Sequence, residues 1–273
     1  MPCRIAAVGI HVTILGSGSA GNCTLVETDS TQLLVDAGLS GRQITQRLAQ
    51  IGRNLERING IILTHEHSDH TRGLGALCKA RPIPVYANRL TAEAIAANPE
   101  PQDRVRISWR LFVTGTSFEI GDLLIDSFSV PHDAYDPVGF VIRHPRSGNS
   151  IGVLTDLGHV TKLVTERMRT MNALVLEANH DLKLLQEDTA RPWATKQRIM
   201  SRHGHLSNDA AATLASDVAS DKLRYVFLAH LSRDCNRPEL AEQAVTDKLR
   251  KIGARHVAIA VASQDKPTAT LSL

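Results

Sequence analysis

Four side chains suited to holding a metal ion fall within one six-residue stretch: His65, His67, Asp69 and His70, in ILTHEHSDHTRG. They stand where GIILT (60–64), an apolar run that reads as a short buried strand, gives way to polar chain. In extended chain alternate residues share a side, so His65 and His67 present their imidazoles together. The Asp69-His70 pair that follows can turn towards a second ion nearby. Imidazole with carboxylate, and no thiolate, suits Zn, Mn or Fe. Histidine is abundant throughout, twelve residues against five Phe and two Trp.

A different signal lies earlier. VTILGSGSAGN (12–22) contains G-x-G-x-x-G at Gly16, Gly18 and Gly21, and Asp36 follows about twenty residues on. A dinucleotide site needs a helix to open at the third glycine, so that its amides hold the pyrophosphate. Here Thr24, Leu25 and Val26 run into a polar turn at Asp29-Ser30-Thr31, and Leu33-Leu34-Val35 follow. That pattern is a β-hairpin, with no room for a crossover helix. No dinucleotide cofactor is expected. The loop is either a tight structural turn or a place where backbone N–H groups meet a phosphate, with Ser17, Ser19 and Asn22 as candidate substrate contacts.

The elements that must position these residues follow from periodicity. Ile44, Leu48 and Ile51 mark a helix over 40–52 that stops at Gly52. Residues 71–80 and 89–97 read as helices around a strand at Pro84-Val85-Tyr86. Four runs between 111 and 155 (LFVTGTSFEI, DLLIDSFSV, VGFVIRH, SIGVLTD) read as an antiparallel meander. ALVLE (173–177), YVFLA (225–229) and HVAIA (256–260) are single strands between helices, the last helix having Pro238 in its first turn and Gly253 at its stop. Two comparable halves, 12–155 and 156–273, each offer a mixed sheet with helices for one face. The economical packing is an α+β four-layer αββα sandwich, expected as one domain over 11–273 behind an N-terminal extension, 1–10.

Composition sets broad limits. With 273 residues, 42% apolar and 22% charged, the chain can bury a large core. A formal charge of +3 does not by itself argue for nucleic acid. Lys183, Arg191, Lys196, Arg198 and Arg202 with Trp193 are nonetheless either a solvated helix face or a phosphate- and base-contacting surface. Four scattered cysteines, with no C-x-x-C pair, suggest a reducing, cytoplasmic setting. MPCRIAAVGIHVTIL is neither a signal peptide nor a membrane span. Oligomeric state is not legible.

L-L-V-D-A-G followed by T-H-x-H-x-D-H after an apolar strand resembles the metallo-β-lactamase superfamily. The resemblance implies an αββα fold and two divalent ions per chain. It implies further ligands in chain order: His132 in SVPHDA, Asp156 in VLTDLGH and His230 in VFLAHLS. By that analogy His65, His67 and His132 hold one ion, Asp69, His70 and His230 the other, and Asp156 bridges. Asp36 is then the acid that fixes the ligand loop by hydrogen bonding.

The finer blocks GSGSAGNCTLVE, DAGLSGRQI, PVGFVI, LVLEANHD, GHLSN and LAHLSRDCN look like the YycJ/WalJ-like branch, near tRNase Z and the β-CASP nucleases. Arg191 departs from the tyrosine expected before Pro-Trp. This resemblance implies a phosphodiesterase acting as a 5′→3′ DNA exonuclease through a two-metal-activated hydroxide. The alternatives are a tRNase Z-type endoribonuclease, a thioester or lactam hydrolase, and a regulatory, non-catalytic protein linked to cell-wall signalling.

GHLSN is similar to the G-H-S-T block of tRNase Z. Ser207 or Asn208 can cap the helix that follows and face its amides to an anion. Asp69, His205 and His180 are the candidate catalytic groups, either histidine serving as proton donor. The tRNase Z H-E-A-T histidine is replaced by Leu176, while Glu177 is retained.

Overall fold

The computed structural model describes residues 9–97 and 105–273. Of the expected extension, residues 1–8 lie outside the described chain, while Gly9 and Ile10 are buried. In chain order the first half comprises β1 (His11–Gly16), β2 (Cys23–Glu27), β3 (Gln32–Val35), α1 (Gly41–Gln50), β4 (Gly60–Ile62), α2 (Ser68–Thr71), α3 (Leu74–Ala80), β5 (Pro84–Asn88), α4 (Arg89–Ala97) and β6 (Ser108–Phe112). Then follow β7 (Ser117–Ile120), β8 (Leu123–Ser129), β9 (Val138–His144), β10 (Asn149–Leu154), α5 (Lys162–Met168), β11 (Ala173–Glu177), α6 (Leu182–Glu187), α7 (Trp193–Ile199) and α8 (Asn208–Val218). The chain closes with β12 (Tyr225–Ala229), α9 (Pro238–Lys251), β13 (Ala258–Val261) and β14 (Leu271–Ser272).

Two seven-stranded sheets form, ordered β14-β1-β2-β3-β4-β5-β6 and β13-β12-β11-β10-β9-β8-β7. Alternation along the strands divides the core into three apolar layers. Val35, Ile62, Val175 and Phe227 point between the sheets. Their neighbours Leu34, Ile61 and Leu63 face α1 and α3 on one outer side. Leu174, Leu176, Val226 and Leu228 face α5, α8 and α9 on the other. Both faces of the central strands are covered, so β2, β3, β4 and β11 are buried throughout rather than alternating, while the edge strands β6, β7 and β13 keep exposed residues. This is the expected αββα sandwich.

The boundary between the sheets departs from the sequence reading. LFVTGTSFEI is two strands, not one: β6 lies parallel to β5 in the first sheet, and β7 lies antiparallel to β8 in the second. The turn at 113–116, closed by the Thr116 N–H on the Val113 carbonyl and with Gly115 at φ 91°, carries the chain across. The second sheet therefore starts near residue 117, not 156, and β14 returns to pair with β1 in the first. Local pattern could not show this, because a strand that switches sheets keeps its alternation. The helix expected from 40 runs from Gly41 to Gln50, capped reciprocally by Ser40 and Gln43. Among the described residues no helix is long and apolar enough to cross a membrane.

Candidate metal centre and its cleft

β3, β4, β10, β11 and β12 run parallel within their sheets and end at the same rim. Each hands over to a polar residue there: Asp36, His65, Asp156, Glu177 and His230. The only non-glycine residues with positive φ among those described are Asp36 (61°), Asp156 (56°) and His230 (55°). A left-handed backbone is uncommon for such residues and tends to mark functional sites. Here it turns each chain sharply off its strand.

The rim assembles the expected donors. His65, His67 and His132 form one group and Asp69, His70, Asp156 and His230 another; within each, one ligand atom per residue lies within 4.8 Å of the rest. His65 Nε2 is fully buried with no hydrogen-bond partner, and Asp156 Oδ2 likewise meets no well-aligned donor although His70 Nε2 is 2.9 Å away. Buried lone pairs left without a donor are expensive unless a cation meets them. The residues thus fit divalent ions of the kind that imidazole and carboxylate prefer.

Hydrogen bonds behind the donors fix which nitrogen faces inward. The Asp36 carboxylate accepts from the Thr64 amide (2.9 Å) and hydroxyl (2.9 Å) and from His70 Nδ1 (2.7 Å). His65 Nδ1 lies 3.0 Å from the Thr64 hydroxyl. His132 Nδ1 donates to the Gly204 carbonyl at 3.0 Å, leaving Nε2 on the metal side. Outer partners of this kind set the tautomer and orientation of a ligating histidine.

Glu177, kept in the sequence comparison but given no role there, proves central. It is fully buried. Oε1 accepts from His205 Nδ1 (2.7 Å) and His230 Nδ1 (2.8 Å). Oε2 accepts from the Leu157 and Leu206 amides at 2.9 and 3.0 Å. Burial opposes its ionisation, but His205 and these donors outweigh it and hold the carboxyl down at about 2. Asp156 is likewise opposed by burial and held well below the carboxylate range by His230 and His70. A carboxylate ending a strand beside the ligand strands was the available signal.

The glycine loop is a brace. The Ser17 hydroxyl donates to Asn22 Oδ1 (2.8 Å) and accepts from the His230 amide (2.8 Å), while the Asn22 amide donates to the Asp69 carbonyl (2.8 Å). A Cβ on Gly38 would sit 1.6 Å from that Asp69 carbonyl oxygen, so only glycine permits the approach. Ser17 and Asn22, expected to touch substrate, are buried and engaged in this way, leaving Ser19 exposed at the tip.

GHLSN differs from expectation in one respect. Ser207 is the cap, accepting from the Ala210 amide, while the Asn208 amide donates to the His180 carbonyl. Asn208 is buried and its side chain is paired with Asn236. The Asn208 and Ala210 amides are thus occupied and Asp209 places an acid in the first turn, both of which disfavour an anion at this end of α8. Gly204, where a Cβ would meet the Ile199 carbonyl oxygen at 2.2 Å, lets the turn place His205 beside Glu177. His205 is partly exposed, whereas burial lowers the His180 imidazole to about 4. Lys196, expected at the substrate, is buried with its ammonium on the Gln186 carbonyl at 2.8 Å. Arg198 is exposed and pairs with Asp133 at 2.5 Å, and Trp193 is 61% exposed.

Residues 31–230 match the model of the β-lactamase superfamily domain. The chain belongs to the metallo-β-lactamase superfamily. Within it, the chain falls in the YycJ/WalJ branch. It is 38% identical over 248 residues to exodeoxyribonuclease YycJ of Bacillus anthracis, covering 90% of this chain and 91% of the relative. It is 37% identical over 246 residues to exodeoxyribonuclease WalJ of Streptococcus pneumoniae serotype 2 (strain D39), covering 90% of each. In fold it resembles the metallo-β-lactamase fold protein YhfI from Bacillus subtilis, with a TM-score of 0.73 at 15% identity over 97% of this chain and 100% of that one.

Proposed function

We propose that this chain is a cytoplasmic 5′→3′ DNA exonuclease with two divalent ions, Zn or Mn. Membership of the superfamily makes it a metal-dependent hydrolase. The observation that carries the finer reading is an intact donor set in a chain matching two exodeoxyribonucleases over 90% of its length. His65, His67 and His132 would hold one ion and Asp69, His70 and His230 the other, with Asp156 between them. Bound ions supply Lewis acidity towards a phosphoryl oxygen and a nucleophile from water at neutral pH.

The chain's own groups do the rest. Glu177 clamps His205 through Nδ1, which leaves Nε2 towards the cleft as the donor of a proton to the leaving oxygen. His180, buried and held neutral, is not that donor. Exposed Arg198 and Trp193 are the proposed contacts to strand phosphates and bases, and Ser19 extends the contact at the glycine loop. Leu176, at the position of the tRNase Z histidine, is fully buried in apolar core, which speaks against that processing mechanism.

The test is cleavage of DNA labelled at either end, beside a tRNA precursor, with Mn²⁺ or Zn²⁺. Stepwise loss from the 5′ end of DNA is expected. A single internal cut in the RNA with DNA untouched would overturn the reading.

A further inference from the structure

A cleft of about 450 Å³ opens beside His205, within the range of small-ligand pockets. Its walls come from Val160, Leu182, Met200 and Ala210, with His159 and His180 at its sides. No lysine or arginine lines it, its one carboxylate is Asp209, and the Asn208 and Ala210 amides of α8 are occupied as described. A phosphate would find no lysine or arginine there, and the mainly apolar lining suits a flat, neutral group.

Both histidines are arranged for such a group. His159 is fixed by Arg202, whose carbonyl lies 3.0 Å from Nδ1 and whose guanidinium lies 3.1 Å from Nε2, so the ring is a rigid wall. His180 is 2% exposed, yet its Nδ1 has no hydrogen-bond partner. A buried imidazole nitrogen without a partner calls for one, and a neutral imidazole brings one donor and one acceptor. Nucleobases present both kinds of group on one edge and a stacking face on either side.

We infer that this cleft is a nucleobase subsite, which takes the base next to the scissile phosphate between His159 and Met200 and reads its edge with His180. The inference rests on the nuclease reading only in saying which base enters. His180 is a specificity residue here, and His205 keeps the proton transfer.

Two readouts test this. In the first, histidine side-chain NMR follows the protein during titration with dTMP, dAMP and 2-deoxyribose 5-phosphate. The two nucleotides are expected to shift the His180 signals in a saturable way, and the base-free sugar phosphate is not. In the second, cleavage of DNA with an ordinary 5′-terminal nucleotide is compared with cleavage of an abasic one. The ordinary end is expected to have kcat/KM about tenfold higher, as one stacked base of about 1–3 kcal/mol implies. Met200→Trp, which fills the half-buried wall, and His180→Asn should each bring that ratio close to one.

Equal shifts from the base-free compound, or a ratio unchanged in Met200→Trp, would overturn the subsite. Uncut DNA with base-dependent shifts intact would remove the exonuclease reading and leave the subsite standing. Cleavage with no preference for a base would do the reverse.

Discussion

Glu177→Gln separates two roles that a buried carboxylate can have. Glu177 accepts four hydrogen bonds, two from backbone amides on Oε2 and two from imidazoles on Oε1. An amide in its place keeps one accepting oxygen and turns the other into a donor. Facing the NH₂ towards the Leu157 and Leu206 amides would strand two buried N–H groups, at about 1–3 kcal/mol each. Facing it towards the imidazoles avoids that loss, because histidine can move its proton from Nδ1 to Nε2 and accept instead.

The second arrangement is therefore the lower in energy, and the fold should lose about 1–3 kcal/mol, because the bonds given up are those of a carboxylate that its partners hold at about 2. The proton then stands on His230 Nε2, the atom 3.3 Å from Asp69 and needed as a metal ligand. Affinity for the ion at Asp69, His70 and His230 should fall about 10–100-fold, the usual effect of removing such a partner. Urea unfolding of the metal-free protein and competition with a chelating dye measure the two quantities. Unchanged metal affinity in the folded variant would show that Glu177 does not set the His230 tautomer.

Three further outcomes follow from the same geometry. Ser17→Ala leaves the buried His230 amide without its acceptor and should cost about 1–3 kcal/mol in urea unfolding, although Ser17 would touch neither metal nor substrate. Gly38→Ala drives a methyl group into the Asp69 carbonyl oxygen and should destabilise by about 3 kcal/mol or more while lowering bound metal, measured by melting and by metal analysis. His180 is held at about 4 against an ordinary 6.5 by burial. Its folded pKa is depressed, so its stabilising effect is present above pH 6.5 and lost as pH falls towards 4. The loss reaches on the order of 3 kcal/mol. Urea unfolding at pH 7.5 and 4.5 should show a larger acid loss in the natural protein than in His180→Asn, and equal losses would refute it.

The sequence made some features legible because they are local. The H-x-H-x-D-H cluster, the hairpin after the glycine loop and the helix that stops at Gly52 each depend on neighbours within a few residues. The later candidate donors His132, Asp156 and His230 needed the family resemblance, since each is one polar residue after a strand. What stayed hidden depends on contacts across the fold. Ser17 and Asn22 look like loop residues free to touch a ligand, and only the approach of His230 and the Asp69 loop shows that they are braces. Lys196 reads as a surface cation until α6 supplies the Gln186 carbonyl. The division of 111–120 between two sheets leaves no trace in alternation, because both halves bury the same face.

The measurement that bears most directly on a single hydrolytic centre bridged by Asp156 is product analysis on 5′-labelled duplex DNA with Mn²⁺, comparing the natural chain with Asp156→Ala. Early release of labelled mononucleotide is expected from the natural chain, and none above the metal-only control from the variant, with the variant's far-ultraviolet circular dichroism unchanged. Equal release by a folded Asp156→Ala protein would contradict a single centre bridged by Asp156.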